Sequence, residues 1–290
     1  MYKDADDWWT DPFTSEPEPT DPLMGVDADG NGLFMPDGAS GPMVPLRMSV
    51  LNLMLRIEPG PLCAELADAL VGAFHDPVEV TKQEKTAALT PFQWFLDHVR
   101  GGLTLTSAGY LKPVDVVDLC AVLPAARFSV GKKNREDHTF PVRKFRQMMT
   151  ECRLVRKYKG QLLLTPTGRA CVDDPALLWE VLAWNVLDTK WDLADEANTI
   201  HLICDAAGWW PSYDLLTDTL NALGWRVDNN ELLVESDVWR LRDVAIAIVE
   251  NLHDYDEDIH HAQGIPRAER AFAFAALTAT KPPIIRPSRK

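Results

Sequence analysis

The sequence predicts a mainly α-helical (α+β) protein. A winged-helix-like central domain carries a short β-hairpin, and a helical C-terminal domain follows. Three observations lead to this fold class. Apolar residues recur at helical spacing over most of the chain after residue 45. Pro stands where several of these patterns begin, as is typical of a first helical turn. Between residues 92 and 170 the order is helix, strand, helix, helix, hairpin and helix, which is the order of a winged helix.

Length and composition predict that the chain consists of four parts. Its 290 residues suit two domains, and a hydrophobic content of 46% suits a chain that buries a core. Pro, Gly and Asp are frequent in the first 45 residues, without periodicity, which predicts disorder. The expected parts are a disordered acidic tail at 1–45, a helical hairpin plus the winged-helix-like domain at 46–172, the helical C-terminal domain at 173–280 and a basic tail at 281–290.

The predicted elements of the first half begin or end at Pro or Gly, the residues that most often interrupt regular structure. In chain order they are a helical hairpin over Pro45–Phe74 broken at Pro59-Gly60-Pro61, a helix from Thr90-Pro91 to Gly101-Gly102, a strand at Leu103–Thr106 and a helix from Pro113 to Pro124.

A polar connector, Ala125–Phe140, precedes the helix that Pro141 is expected to begin. Tyr158-Lys159-Gly160 separates two short apolar-containing runs, which predicts a hairpin. Thr165-Pro166 then begins another helix. The apolar residues of the Pro141 helix are spaced i, i+3, i+7 and i+10 and so line one face: Val142, Phe145, Met149 and Cys152.

The C-terminal domain is expected to consist of helices with one further hairpin. Its elements are helices over Asp174–Leu187, Ala194–Ala206 and Tyr213–Leu223, a hairpin around Asn229-Asn230, a helix that Ser236 caps and that continues to Asn251, and a final helix that begins at Pro266.

Charge is distributed unevenly along the chain. The formal net charge is −14, which argues against affinity of the whole protein for nucleic acid. Between Arg127 and Arg169, however, 12 Lys and Arg stand against 3 Asp and Glu, a net of +9. A cationic patch on an otherwise acidic protein is a candidate anion-binding surface. The alternative is a solvated basic face that pairs with the acidic residues of the same protein.

The Pro141 helix is expected to act as a recognition helix, because its polar face carries residue types that read base edges or clamp phosphate. The hairpin would contact the phosphate backbone, which contributes affinity rather than specificity. The predicted nucleic-acid-binding residues are Lys132, Lys133, Arg135, Arg143, Lys144, Arg146, Gln147, Arg156, Lys157, Lys159 and Arg169.

The connector before this helix weakens the DNA-binding interpretation. It spans about 16 residues, whereas a helix-turn-helix joint needs 3–4. A winged-helix fold that serves a function other than DNA binding is therefore an alternative. The GKKNRED segment also has two interpretations: its cations hold phosphate, or Arg135, Glu136 and Asp137 form a salt-bridge network that fixes the connector and the next helix. For Glu136 and Asp137 we favour the second.

Four segments resemble a known family. FQWFLDHVRGG, LTLTSAGYLKP, GKKNREDHTFPV and LVRKYKGQLLLTPTGRA are similar to the C-terminal region of actinobacterial proteins of the plasmid pRiA4b ORF-3-like family, of unknown function. The later segments ALLWEVLA, LLTDTLNALGW and PRAERAFAFAAL resemble the same region, so the resemblance covers about residues 85–280. The family's namesake N-terminal domain is not visible. The resemblance implies association with a plasmid or mobile element, but it carries over no catalytic residue.

Other kinds of chemistry find little support. The sequence contains no Walker A, G-x-G-x-x-G or G-x-S-x-G motif, so we expect neither an enzyme nor a cofactor, and an enzyme with an unrecognised site is the lesser alternative. The run His253–His261 is rich in ligand types but lacks metal-site spacing, so no metal is expected. Five widely spaced Cys predict buried free thiols. The acidic N-terminus and the lack of a long apolar run predict a cytoplasmic protein without a membrane partner.

Two functions remain open. The first is a DNA-binding or regulatory protein of plasmid or mobile-element origin that uses the basic winged-helix-like surface. The second is a protein–protein interaction module on the same scaffold, with an acidic partner and no nucleic acid. The acidic tail, with ten acids and one base in residues 1–45, is a further candidate partner for the basic residues.

Overall fold

The computed structural model describes residues 23–26, 32–35, 44–127, 129, 132–187, 192–227, 230–238, 241, 243–252 and 264–279. Within these residues it is mainly helical, as the sequence predicts, and it contains two small antiparallel sheets. The helices, in order, are α1 Met48–Arg56, α2 Pro61–His75, α3 Lys82–Ala88, α4 Thr90–His98, α5 Pro113–Val122, α6 Phe140–Glu151, α7 Pro166–Cys171, α8 Pro175–Asn185, α9 Asp192–Ala207, α10 Tyr213–Ala222, α11 Glu235–Val238, α12 Asp243–Val249 and α13 Arg267–Thr278.

The first sheet lies within the segment that the sequence predicts to be disordered. Strands β1 (Leu23–Val26), β2 (Gly32–Met35) and β3 (Val44–Leu46) pair in that order, with Val26 opposite Gly32 and Leu33 opposite Pro45. The prediction of a disordered tail over all of 1–45 is therefore wrong for these strands. Each is only three or four residues long, too short for its apolar content to stand out from the surrounding Pro and Gly.

The second sheet joins distant parts of the central region. Strand β4 (Leu103–Thr104) pairs with β6 (Gln161–Leu164), which also pairs with β5 (Val155–Tyr158), so the spatial order is β4-β6-β5. Helices α5 and α6 lie between β4 and β5 in the chain. The predicted order of elements over residues 90–171 is thus confirmed, and the helix after the connector includes Pro141 in its first turn.

Aromatic packing fixes α6 on α4. The ring of Phe145 lies 5.2 Å from that of Phe92 and 5.5 Å from that of Phe95, in tilted and edge-on arrangements that favour aromatic pairs. The four residues predicted to form the inner face of this helix, Val142, Phe145, Met149 and Cys152, are all buried.

The predicted boundary between residues 172 and 173 does not separate two cores. Helix α2 packs on α9, α12 packs on α6, and buried apolar residues from Leu46 to Leu277 form one connected cluster. Periodicity shows which face of a helix is apolar but not which helix covers it, so these contacts across the boundary could not be predicted from sequence.

Two predictions in the C-terminal part need correction. The helix expected from Ser236 to Asn251 is replaced by the short helices α11 and α12, and Ser236 lies inside α11 instead of capping it. Around the expected hairpin, the described residues form a single bridge, between Arg226 and Leu232, and residues 228 and 229 lie outside the description. The predicted basic tail at 281–290 lies outside the described residues.

A buried arginine anchors the segment after β3. Arg47 is 8% exposed and donates hydrogen bonds to the carbonyl oxygens of Trp184 at 2.6 Å and Leu187 at 3.3 Å. Its guanidinium also lies 4.3 Å from the centroid of the Trp184 ring. The Trp184 carbonyl lies in the last turn of α8 and Leu187 follows just after that helix, so the cation also complements the helix dipole.

Candidate nucleic-acid interface

Helix α6 exposes a narrow stripe opposite its buried face. Phe140, Arg143, Gln147 and Thr150, again spaced i, i+3, i+7 and i+10, are exposed. The amide of Gln147 donates to Glu151 Oε1 at 2.8 Å, so part of the stripe is used within the helix. The stripe is narrow because α12 packs along α6 and because Met148, which lies outside the predicted apolar face, is also buried.

The first turns of α6 form an aromatic and basic cluster, which we call the helix cluster: Phe140, Arg143 and Lys144. Phe140 is 41% exposed, and the Arg143 guanidinium and the Lys144 ammonium lie 5.5 and 5.0 Å from its ring centroid. Burial lowers the pKa of Lys144, and the neighbouring charge of Arg143 lowers it further. This cluster concentrates positive charge beside an exposed ring.

The tip of the β5–β6 hairpin forms a second cluster, which we call the hairpin cluster: Arg156, Lys157, Tyr158 and Lys159. All four side chains are exposed. Lys159 and Gly160 both adopt positive φ, 47° and 72°, which matches a tight two-residue hairpin turn. Tyr158 is 48% exposed, with Arg156 at 5.4 Å and Lys159 at 5.2 Å from its ring centroid.

Lys157 lies apart from that ring, against the turn that follows β4. Its ammonium end contacts Gly109, whose φ of 83° and missing side chain leave room for it. The turn itself is closed by hydrogen bonds between Thr106 and Tyr110. The hairpin tip is therefore braced on the loop between β4 and α5.

Several of the predicted site cations are used inside the protein. Arg146 pairs through Nε with Glu136, and Lys133 donates to the carbonyl oxygens of Ala126 at 2.6 Å and Arg127 at 3.1 Å. Arg169 donates to Leu164 O at 2.9 Å, and Arg135 pairs with Asp137 at 2.8 Å. Lys132 is exposed and lines a surface pocket with Val117 and Cys120. The predicted set thus separates into the cations of the two clusters, the cations that brace the connector or hairpin, Lys132, and Gln147 on the exposed stripe of α6.

Glu136 explains how so long a connector can support α6. It is 1% exposed, accepts the backbone N–H of Leu111 at 2.6 Å and pairs with Arg146 on α6. One carboxylate thus joins the segment before α5, a 3-10 turn at Glu136–His138 and α6. The favoured structural interpretation of Glu136 and Asp137 is confirmed, because both pair with Arg residues of the same segment or helix. The connector residues 128, 130 and 131 lie outside the described part.

Sequence reasoning missed the two aromatic members of the clusters. The sequence pattern places Phe140 at the end of the connector and Tyr158 in the hairpin turn. The available signal is an aromatic residue within four positions of at least two Lys or Arg in each case. The cover that α12 provides for α6 had no such signal, because about 90 residues separate the two helices.

Other candidate chemistry stays unsupported within the described residues. There, no group of three or more His, Cys, Asp and Glu side chains could hold a metal ion, and His253–His261 lies outside the description. All five thiols are free; three are buried, whereas Cys63 and Cys120 are partly exposed. Burial raises the pKa of Cys171 to about 12 and also raises those of Cys152 and Cys204. None of the helices in the described part could cross a membrane.

The structure therefore defines a mainly helical protein whose helix–strand–helix–helix–hairpin unit carries two exposed basic and aromatic clusters. Residues 86–177, from the end of α3 to the start of α8, match the model of the Y4jL N-terminal domain. This region contains every predicted nucleic-acid-binding residue. No curated protein and no solved structure matches the chain. The similarity to the pRiA4b ORF-3-like family stays a prediction, since the matching model is a different one.

Proposed function

We propose that the protein binds nucleic acid through a winged-helix-like unit, α4 to α7, with the β5–β6 hairpin as its principal contact. The observation that carries the proposal is the hairpin cluster. Arg156, Lys157 and Lys159 are exposed, and they have no carboxylate partner among the described residues. Unpaired cations on a projecting hairpin are suited to phosphate contacts.

The strand order supports the same proposal. In β4-β6-β5 the hairpin strands extend a sheet that begins before α5, so that α6 and the hairpin are joined in one compact unit. A wing of this kind contacts the nucleic-acid backbone while the preceding helix faces the groove. Because the exposed stripe of α6 is narrow, we assign most of the affinity to the hairpin and little sequence specificity to the helix.

A charge-matched pair of variants tests this proposal. Arg156/Lys157/Lys159→Ala is expected to weaken nucleic-acid binding by the full chain at low salt at least tenfold. The slope of log K against log salt should fall by about two to three, since each phosphate contact contributes about one. Fluorescence anisotropy with labelled oligonucleotides at several salt concentrations measures both quantities.

The control is Lys82/Arg226/Arg267→Ala, which removes three exposed cations outside this unit. It changes the net charge equally and should leave affinity within about twofold. No binding of either duplex or single strand at low salt, or equal losses in the two triple variants, would exclude the proposal.

A second candidate is an interaction module that binds an acidic protein partner through the same clusters. The packing of α12 along α6 favours it, because a partly covered recognition helix is poorly suited to entering a groove. Two results together would support this function. A protein co-purifies with the unchanged chain but not with the hairpin triple variant, and neither of these two chains binds nucleic acid. The plasmid or mobile-element association implied by the sequence resemblance stays a prediction under both functions.

The acidic N-terminal residues are a partner candidate within the chain. Residues 1–22 contain seven acids and one base, and they precede β1, so a chain that lacks them keeps the residues of all three strands of the first sheet. If they compete with nucleic acid for the cationic clusters, a chain that lacks them should bind nucleic acid several-fold more tightly at low salt. Unchanged affinity in the same anisotropy assay excludes this role.

A further inference from the structure

The two exposed aromatic rings carry an inference beyond charge. Tyr158 stands at the end of β5, next to the turn, and Phe140 stands at the first position of α6. Both rings are close to half exposed, and each has two cations beside it. A hairpin that only touched duplex phosphates would need its cations but not an exposed ring.

The surroundings of Tyr158 suit an unpaired base. An aromatic ring that stacks with a base contributes about 5- to 150-fold in affinity, whichever base it is. An exposed cation–π contact is weaker, about two- to fivefold. A base can therefore displace Arg156 or Lys159 from the ring at a net gain. The displaced cation stays within reach of the phosphate next to that base, so its charge is used rather than lost.

The same arrangement occurs at Phe140. Arg143 and Lys144 flank the ring at 5.5 and 5.0 Å, much as Arg156 and Lys159 flank Tyr158. Alternation of aromatic rings and cations is typical of surfaces that track single strands, where bases stack and the backbone follows positive charge.

We infer that Tyr158 and Phe140 are stacking platforms and that the ligand is single-stranded nucleic acid, or a nucleic acid with unpaired bases. This inference rests on the proposed function and specifies its ligand class. In this inference the aromatic rings make the protein prefer single strands to duplex, and the cations contribute affinity for both.

The test compares a labelled mixed-sequence single strand with the corresponding blunt duplex, using the full chain at fixed low salt. Tyr158→Ala and Phe140→Ala are each expected to weaken single-strand binding about fivefold or more, while duplex binding changes less than twofold. Tyr158→Phe should bind like the unchanged protein, because the ring is kept. Tyr158→Leu should behave like Tyr158→Ala, because apolar volume without a π face does not stack.

A second readout reports stacking directly. A single strand that contains 2-aminopurine should lose fluorescence when it binds the unchanged protein, and lose less when it binds Tyr158→Ala at saturating concentration. Because Tyr158 and Phe140 are exposed, these variants are expected to keep the fold, which circular dichroism can verify.

The outcomes separate the inference from the proposed function. If duplex binds at least as tightly as single strand, and Tyr158→Leu matches the unchanged protein on both, the stacking inference is wrong. The hairpin triple variant would still test the proposed function in that case. If neither nucleic acid binds at low salt, the proposed function fails and the inference fails with it.

Discussion

Gly168→Ala should destabilise the protein by at least about 3 kcal/mol, in the upper range for adding a single methyl group to a packed site. Gly168 is the third residue of α7 and is buried. A Cβ added there would overlap the carbonyl oxygen of Leu154 and lie 2.9 Å from its carbonyl carbon. The obstacle is backbone, so no side-chain rotation can relieve it.

The position of this contact makes the cost large. Leu154 immediately precedes β5, and its carbonyl oxygen also accepts the backbone N–H of Thr165 at 3.0 Å and the Thr165 hydroxyl at 3.2 Å. Thr165 caps α7 by accepting the N–H of Gly168. Moving α7 away would therefore break the cap and shift the base of the hairpin together. We expect nucleic-acid binding through the hairpin to weaken as well.

Urea unfolding of the two proteins measures the effect, and Gly72→Ala is the matched control. Gly72 lies in α2, is exposed, and a Cβ there meets nothing within 4 Å. The same chemical change should stabilise the protein at this position by about 0.5–1 kcal/mol, because Ala favours helix over Gly. Equal effects at the two positions would contradict the packing argument.

Glu269→Gln should change how stability depends on pH. Glu269 is 3% exposed on α13. Burial raises the pKa of its carboxyl from 4.5 to about 8, the hydrogen bond from Trp210 opposes this shift, and the charge of Glu250 adds to it. At neutral pH the folded protein therefore holds this carboxyl mainly in its protonated form.

The direction of the pH effect follows from proton linkage. The folded state binds this proton more tightly than the unfolded state, so its contribution to stability is complete below about pH 4.5. It is lost progressively as pH rises through the folded pKa near 8. A pKa difference of about 3.5 units corresponds to roughly 5 kcal/mol. Glu269→Gln keeps an acceptor for Trp210 and removes the titration. The free energy of unfolding of this variant, relative to that of the unchanged protein, should therefore increase between pH 5 and 9.

Urea unfolding at a series of pH values provides the measurement, and Glu84→Gln is its control. Glu84 is exposed in a capping box with Thr81, and the backbone hydrogen bond from Thr81 lowers its pKa. The contribution of the Glu84 carboxylate to stability is present above the pKa of Glu84 in the unfolded chain, and it is lost only as pH falls below that value. Between pH 5 and 9 the Glu84→Gln curve should therefore run parallel to that of the unchanged protein. A parallel curve for Glu269→Gln would show that Glu269 does not titrate in this range.

The central unit could be predicted from sequence because its signals are local. Pro141 in the first turn of α6, Thr165 as the cap of α7, and Gly160 in the hairpin turn each act within a few residues of their own position. Such residues restrict backbone angles or satisfy nearby N–H groups whatever packs around them.

The remaining features depend on contacts between distant residues. Glu136 looked like one acid in a basic loop, and only the fold shows that it meets Leu111 and Arg146. Three short strands escaped detection because their pairing, rather than their composition, defines them. The cluster cations could not be separated from the bracing cations either, because Lys133 and Arg169 differ from Lys157 only in the carbonyl oxygens that they reach.

The packing of α12 on α6 has a consequence for how this kind of region is inherited. The stretch that matches the Y4jL N-terminal domain ends at residue 177, whereas α12 begins at Asp243, and its buried residues include Val244 and Ile248. Copied alone into another gene, the stretch would carry an uncovered apolar flank on α6. We therefore expect a chain that contains such a region to cover this flank with its own later segments or with a second molecule. Proteins with such a region could then be grouped by the segment that packs on the helix corresponding to α6.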